Sequence, residues 1–182
     1  MARMAMRVVL GLVGCALVFL WTWLLVEFGR LPALIPTHFD GAGVPDRWSE
    51  TTALAWFGPH LIGLFVVCTL VGTAFLIRWM ARRHPGLVNI PNKDKWVQLP
   101  TDARVWSIEP IALALAASGV LVTGVFGVIA WSTSAVGSGQ LTAAPIWPIW
   151  ALIGLLLASV IGSIAFVTAR VHAACRTLGG SP

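Results

Sequence analysis

Of the seven acidic residues and four histidines in this chain, three fall within residues 38–46. His38, Asp40 and Asp46 lie in LPALIPTHFDGAGVPDRWSE, residues 31–50. One imidazole with two carboxylates would suit several transition metals, but metal motifs usually carry a second His or Cys at fixed spacing. The alternative is that these side chains hydrogen-bond the loop's own backbone, as Asp residues in turns do. That is the expectation here, and neither a metal nor any other cofactor is assigned. Pro32, Pro36 and Pro45 stiffen the segment, while Gly41 and Gly43 permit positive φ in a turn. Ile35, Thr37 and Phe39 alternate with Pro36, His38 and Asp40. Such alternation suits an extended stretch entering a turn and predicts that His38 and Asp40 project to one side. Asp46, Arg47 and Trp48 then lead back, so the segment reads as a compact hairpin.

The remaining candidates are sparse. His60 follows Pro59, whose missing N–H frees a carbonyl that the structure must satisfy. Satisfying that kink is the leading reading of His60, with a polar cavity beneath the hairpin as the other. Glu27 and Glu109 are expected at span ends in an interfacial setting, since no second acidic residue lies deeper. Cys15, Cys68 and Cys175 have no metal or redox spacing and form no disulfide framework. Packing is the default for Cys15 and Cys68. There is no HExxH, no Gly-rich phosphate loop and no intramembrane carboxylate pair, so neither an enzyme nor a transporter is expected.

The elements that must hold these residues follow from composition. Charged residues make up 10% and hydrophobic ones 58%, with mean hydropathy +0.86. A soluble domain usually has about 25% charged and 45–50% apolar residues, so lipid is the solvent this chain suits. Spanning a bilayer takes about 20 apolar residues. Four stretches qualify: residues 8–28, 53–80, 107–131 and 146–169. The last two are split by the turn-rich WSTSAVGSGQLTAAP, residues 131–145. The fold class is therefore all-α membrane protein, one four-helix transmembrane domain over residues 1–182. A structured, hairpin-like extracytoplasmic loop (29–52) joins helices one and two. An inner loop (81–106) and a second outer loop (132–145) complete the connections.

Ten Lys and Arg residues fall at the termini, in the loop 81–106 and, as Arg78, just before that loop, against Arg30 and Arg47 on the other side. By the positive-inside rule both termini of this multi-pass chain are cytoplasmic. The first apolar run exceeds the usual 7–15 residues of a signal peptide and lacks a small-residue cleavage site, so a retained helix is expected. A net charge of +5 and pI near 10.1 do not mark a nucleic-acid binder, because the basic residues flank apolar spans. Most tryptophans, including Trp56, fall near span ends, where indole rings settle at headgroups. Ala116, Gly119, Gly124 and Gly127 on the third span, and Gly154, Ala158 and Gly162 on the fourth, form small-residue faces. These are expected to pack within the bundle, ahead of homo- or hetero-oligomerisation.

The inner loop HPGLVNIPNKDKWVQLPTDARVW, residues 84–106, is not an ordinary linker. Asn89, Pro91, Asn92 and Pro100 break helical continuity, and Trp96 and Val97 are read as anchors at the membrane surface. Thr101 or Asp102 is expected to cap the helix into span three. Arg82, Arg83, Lys93 and Lys95 should attract anionic lipid headgroups.

Two stretches together carry a resemblance. IPTHFDGAGVPDRW, residues 35–48, resembles the signature of the family known as domain of unknown function 1648, which follows that family's first transmembrane helix. VNIPNKDKW, residues 88–96, resembles its second motif, in the cytoplasmic loop after helix two. The chain departs from the pattern at Asp40, where Asn is usual, at Lys95, where an aromatic is usual, and in the less basic QLPTDAR that follows. The resemblance implies functional positions at His38, Phe39, Gly43, Pro45, Asp46 and Trp48 outside, with Asp40 beside them, and at Asn89, Pro91, Asn92 and Trp96 inside. It also implies kinship with the N-terminal half of Sdp-type immunity proteins, which protect a producer cell from its own killing peptide and sequester a repressor. Immunity is carried over only by analogy of fold. The resulting expectation is a non-enzymatic envelope sensor or immunity-type protein with membrane lipids and a peptide or protein as partners. An accessory subunit of a larger membrane complex is the alternative.

Overall fold

The computed structural model describes the backbone of residues 2–176 and the side chains of residues 4–176. Helix α1 (Ala2–Phe28) leads into strands β1 (Leu34–Phe39) and β2 (Pro45–Glu50), then α2 (Ala53–Arg83). A 3-10 turn (Pro85–Leu87) and short α3 (Lys93–Gln98) precede α4 (Thr101–Gly137), and α5 (Trp147–Arg176) ends the described chain. Helices α1, α2, α4 and α5 are each long and apolar enough to cross a membrane. The hairpin and the α4–α5 connection meet at one end of the bundle, since the Ala144 amide donates to the Gly43 carbonyl at 2.7 Å. The α2–α4 connection lies at the other end with the start of α1 and the end of α5.

Helix α4 is the hub, packed by α1, α2 and α5, while α1 and α2 barely touch each other. Its small residues explain this. A Cβ on Gly119 would lie 3.3 Å from both Val13 of α1 and Val67 of α2, and one on Gly124 would lie 3.4 Å from Leu152 of α5. The small-residue face of α4 therefore packs within the bundle as expected. That of α5 does not. Gly154, Ala158 and Gly162 are exposed, and nothing lies within 4 Å of a Cβ on either glycine. Cys15 and Cys68 are likewise exposed on helix surfaces rather than packed inside.

Helices run past their expected ends because tertiary contacts satisfy the extra turns. Residues 132–137, read as turn from their Ser, Thr and Gly content, continue α4. The Ser134 hydroxyl donates to the Glu27 carboxylate, and Gly137 seats against Ile35, Pro36 and Pro32. Gly139 (φ +73) then ends the helix. The amides of Gln140 and Gly139 donate to Ala135 and Val136 at 2.8 and 3.0 Å, the paired bonds of a Schellman motif. At the other end, Pro100 rather than Thr101 or Asp102 occupies the N-cap of α4, with no side-chain cap bond.

Trp56 is a correction too. It is buried rather than interfacial, and its indole N–H donates to the Leu24 carbonyl at 3.0 Å. With Leu20, Leu24, Ile35 and Ala130 it forms the core beneath the hairpin.

Candidate functional site

The hairpin is built for a fixed geometry. Thr51 closes its base, the hydroxyl donating to Pro32 at 2.6 Å and the amide to Ala33 at 2.9 Å. Thr52 then caps α2 by accepting from the Ala55 amide at 3.1 Å. At the tip, Asp40 organises the five-residue loop. One carboxylate oxygen accepts from the amides of Ala42 and Val44, both at 2.9 Å. An amide oxygen could accept the same two bonds, so Asp in place of Asn leaves this turn intact. Gly43 has φ +81 and carries the docking bond to Ala144. A Cβ there would stand 2.1 Å from the Ala144 oxygen. Only glycine fits.

Irregular pairing between Pro36 and Phe39 breaks the alternation expected from the sequence. Ile35 and Pro36 are both buried, whereas Thr37 and His38 are both exposed. His38 Nδ1 lies 2.6 Å from Asp46 Oδ1, with both side chains about half exposed. A carboxylate only accepts, so Nδ1 donates, and Nε2 is left pointing no bond at any described residue. Asp40 is committed to the turn. The three groups thus divide into a structural carboxylate and an exposed His–Asp pair, and among the described residues no cluster of three potential metal ligands forms. Trp48 stands 45% exposed on the same hairpin, and Pro45 opens β2, where its missing N–H costs little.

A cavity of about 100 Å³ lies below, lined by Pro36, Thr37, Phe39, Trp56, His60 and Thr133 among others. His60 is only 4% exposed. Its Nδ1 donates to the Trp56 carbonyl at 2.8 Å, while Nε2 has no partner. Of the two readings of His60, the structure carries the cavity beneath the hairpin; its Nδ1 bonds the Trp56 carbonyl, not the Ala55 carbonyl that the missing N–H of Pro59 leaves free. At about 30 Å³ per molecule, the cavity has room for a few waters that could donate to Nε2.

Residues 13–63 match the family model for Domain of unknown function (DUF1648). This segment is similar to the DUF1648 domain. It takes in most of α1, the whole hairpin and the first turns of α2, His60 included, to Gly63. A curated "Uncharacterized protein" of Archaeoglobus fulgidus is 29% identical over 76 residues, covering 42% of this chain and 40% of that protein. The chain thus aligns with about two fifths of that relative's length. No solved structure matches.

The inner motif lies outside the matched DUF1648 segment, and its geometry differs in kind. Trp96 is fully buried, not a membrane-surface anchor. Its indole N–H donates to Ser107 Oγ at 2.8 Å, and that hydroxyl donates to the Arg104 carbonyl at 2.7 Å. Around it pack Val88, Ile90, Leu99, Ile108, Val171 and Cys175. Asn92 adopts φ +54 at the start of α3, a left-handed conformation that Asn tolerates better than most residues. Asn89 and Pro91 are exposed beside it. This connection is a folded cap over the ends of α2, α4 and α5.

Arg104, counted from sequence only as a positive charge, locks that cap. Its guanidinium donates to the carbonyls of Ala81 (3.0 Å), Val97 (2.9 Å) and Leu99 (2.6 Å) and to Thr101 Oγ1 (3.0 Å). Two of those carbonyls close α2 and α3, where helix ends leave acceptors unpaired. The available signal was its place directly after a Pro-broken connection. Glu109 is only 3% exposed and pairs with Arg78 of α2 at 3.3 Å, toward the cap end.

Proposed function

We propose that this chain is a non-enzymatic multi-pass protein of a bacterial inner membrane, acting as an envelope sensor or immunity-type protein. The hairpin faces outward and meets a peptide or envelope ligand; the cap and both termini face the cytoplasm. The observation that carries this reading is α4. It is one unbroken helix of 37 residues, about 55 Å at 1.5 Å per residue. Its two ends are gripped by the two irregular connections, the hairpin base at Gly137 and the Trp96 cap at Ser107. A ligand that shifts the hairpin would bias a rigid rod reaching the far face, the kind of two-state element that coupling between sites requires. Recognition suits the exposed His38–Asp46 pair, which offers Nε2 for a hydrogen bond beside the Trp48 ring. The ten-to-two distribution of basic residues supports the orientation.

In a host carrying this gene, His38→Ala and Trp48→Ala proteins that insert at normal levels should reproduce the transcript profile of the deletion strain. Wild-type profiles from both would overturn the sensor reading. Orientation is checked with reporters at Gly41 and Gly86, where a Cβ meets nothing within 4 Å. They should report opposite compartments.

A second reading, an accessory subunit of a membrane complex, is favoured by the uncovered Gly154–Ala158–Gly162 face of α5. Purification in mild detergent followed by native mass spectrometry should then recover a stable partner. A lone monomer would count against it.

A further inference from the structure

At the cap end, a groove of about 610 Å³ separates the first turns of α1 from the last turns of α2. Four arginines line it, Arg7 from α1 and Arg78, Arg82 and Arg83 from α2, together with the apolar Leu10, Phe75 and Trp79. Of these cations only Arg78 has an acidic partner, Glu109 at 3.3 Å. Arg7, Arg82 and Arg83 are exposed and have no hydrogen-bond or ion-pair partner among the described residues. Arg82 and Arg83 alone would be unremarkable, since cations suit a helix C-terminus. Arg7 breaks that account. It arrives from a different helix, in the second turn of α1, where no helix C-terminus draws a cation. Like charges converging from two helices repel unless an anion lies between them.

We propose that this groove binds the headgroup of one anionic phospholipid. Its phosphate sits among Arg7, Arg82 and Arg83, while Arg78, held by Glu109, forms the floor one helical turn deeper. Each guanidinium presents five N–H donors in a planar fork suited to phosphate. The half-exposed Phe75 and Trp79 rings line the path of an acyl chain, which free phosphate or a nucleic acid would not use. Basic pockets between helices at a cytoplasmic membrane face recognise lipid headgroups in this way. The inference rests on the four long helices crossing a bilayer. A carbonate wash that strips the protein from membranes would sink that reading by itself, independently of any lipid result.

The test uses the full chain in mild detergent, titrated with phosphatidylglycerol or phosphatidylcholine and read by native mass spectrometry. One phosphatidylglycerol should be retained under conditions that strip phosphatidylcholine. The Arg82→Gln/Arg83→Gln protein should bind it roughly thirtyfold more weakly, from about fivefold per basic side chain at an anionic surface. A Lys93→Gln/Lys95→Gln protein removes the same charge outside the groove and should bind like the parent. Should the arginine pair fail to insert, Arg7→Gln alone is read the same way, with an expected loss of about fivefold. Equal losses in the two double variants, equal retention of phosphatidylcholine, or displacement of the lipid by inorganic phosphate would each overturn the proposal.

Discussion

At the hairpin end, His38 and Asp46 bond each other on an exposed surface. At the cap end, Trp96 is enclosed and the polar groups it meets are spent on internal bonds. The two segments look alike as sequence: each is rich in Pro, Gly or Asn, each carries a tryptophan, and each interrupts a run of apolar helix. In three dimensions they use those residues oppositely. The hairpin consumes Asp40, Gly43 and Ile35 in fixing its own shape and leaves His38, Asp46 and Trp48 to display. The cap turns Trp96 inward and spends Arg104 on covering helix ends that would otherwise expose carbonyls. A motif-like segment can therefore display its polar groups in one place and enclose its tryptophan in the other, and burial decides which.

The sharpest way to break that contrast is at Trp96. Trp96→Ala should cost about 3–5 kcal/mol, as for other buried aromatics, and open the 84–100 connection to protease. A loss below about 1 kcal/mol would mean that the cap is not a core. Next is Gly43→Ala. The left-handed backbone and the 2.1 Å approach to the Ala144 oxygen predict a loss of about 2–3 kcal/mol. Hydrogen exchange at the Ala144 amide should rise with it; unchanged exchange would show that the tip is not docked. Arg104→Lys keeps the charge but loses the planar fork over Ala81, Val97 and Leu99, and should lower stability by about 1.5 kcal/mol. Charge-only behaviour, with no change in thermal midpoint, would return Arg104 to the role of a topology signal.

The smallest effect is expected where display is claimed. His38→Ala or Asp46→Asn should change stability by less than about 1 kcal/mol, the range of exposed pairs, while abolishing ligand-dependent behaviour. A stability loss above about 2 kcal/mol at either position would move the pair to the structural side and remove the contrast between the two ends.

Much of this was legible beforehand. Four long apolar helices and a hairpin between the first two follow from hydropathy, from the charge-free runs and from the Pro and Gly punctuation of residues 31–50, because period and composition are local properties. The turn role of Asp40 was legible for the same reason: an Asx turn reaches only two to four residues along the chain. Misreadings fell where a distant segment supplies the partner. Residues 132–137 look like a turn until Glu27 and the hairpin base hold them helical. Trp56 and Trp96 look like headgroup anchors until the Leu24 carbonyl and the Ser107 hydroxyl take up their indole N–H groups.

Sequence by itself determined the solvent, the number of long helices and the asymmetry of basic charge, since each is a sum over neighbouring residues. Only the tertiary structure decided which polar side chains stay free. It paired His38 with Asp46 across the hairpin, sent Glu109 to Arg78 across two helices, and drew Arg7 and Arg82 to one groove. Those outcomes depend on which helix ends and loops come to lie together, and separation along the chain does not encode that.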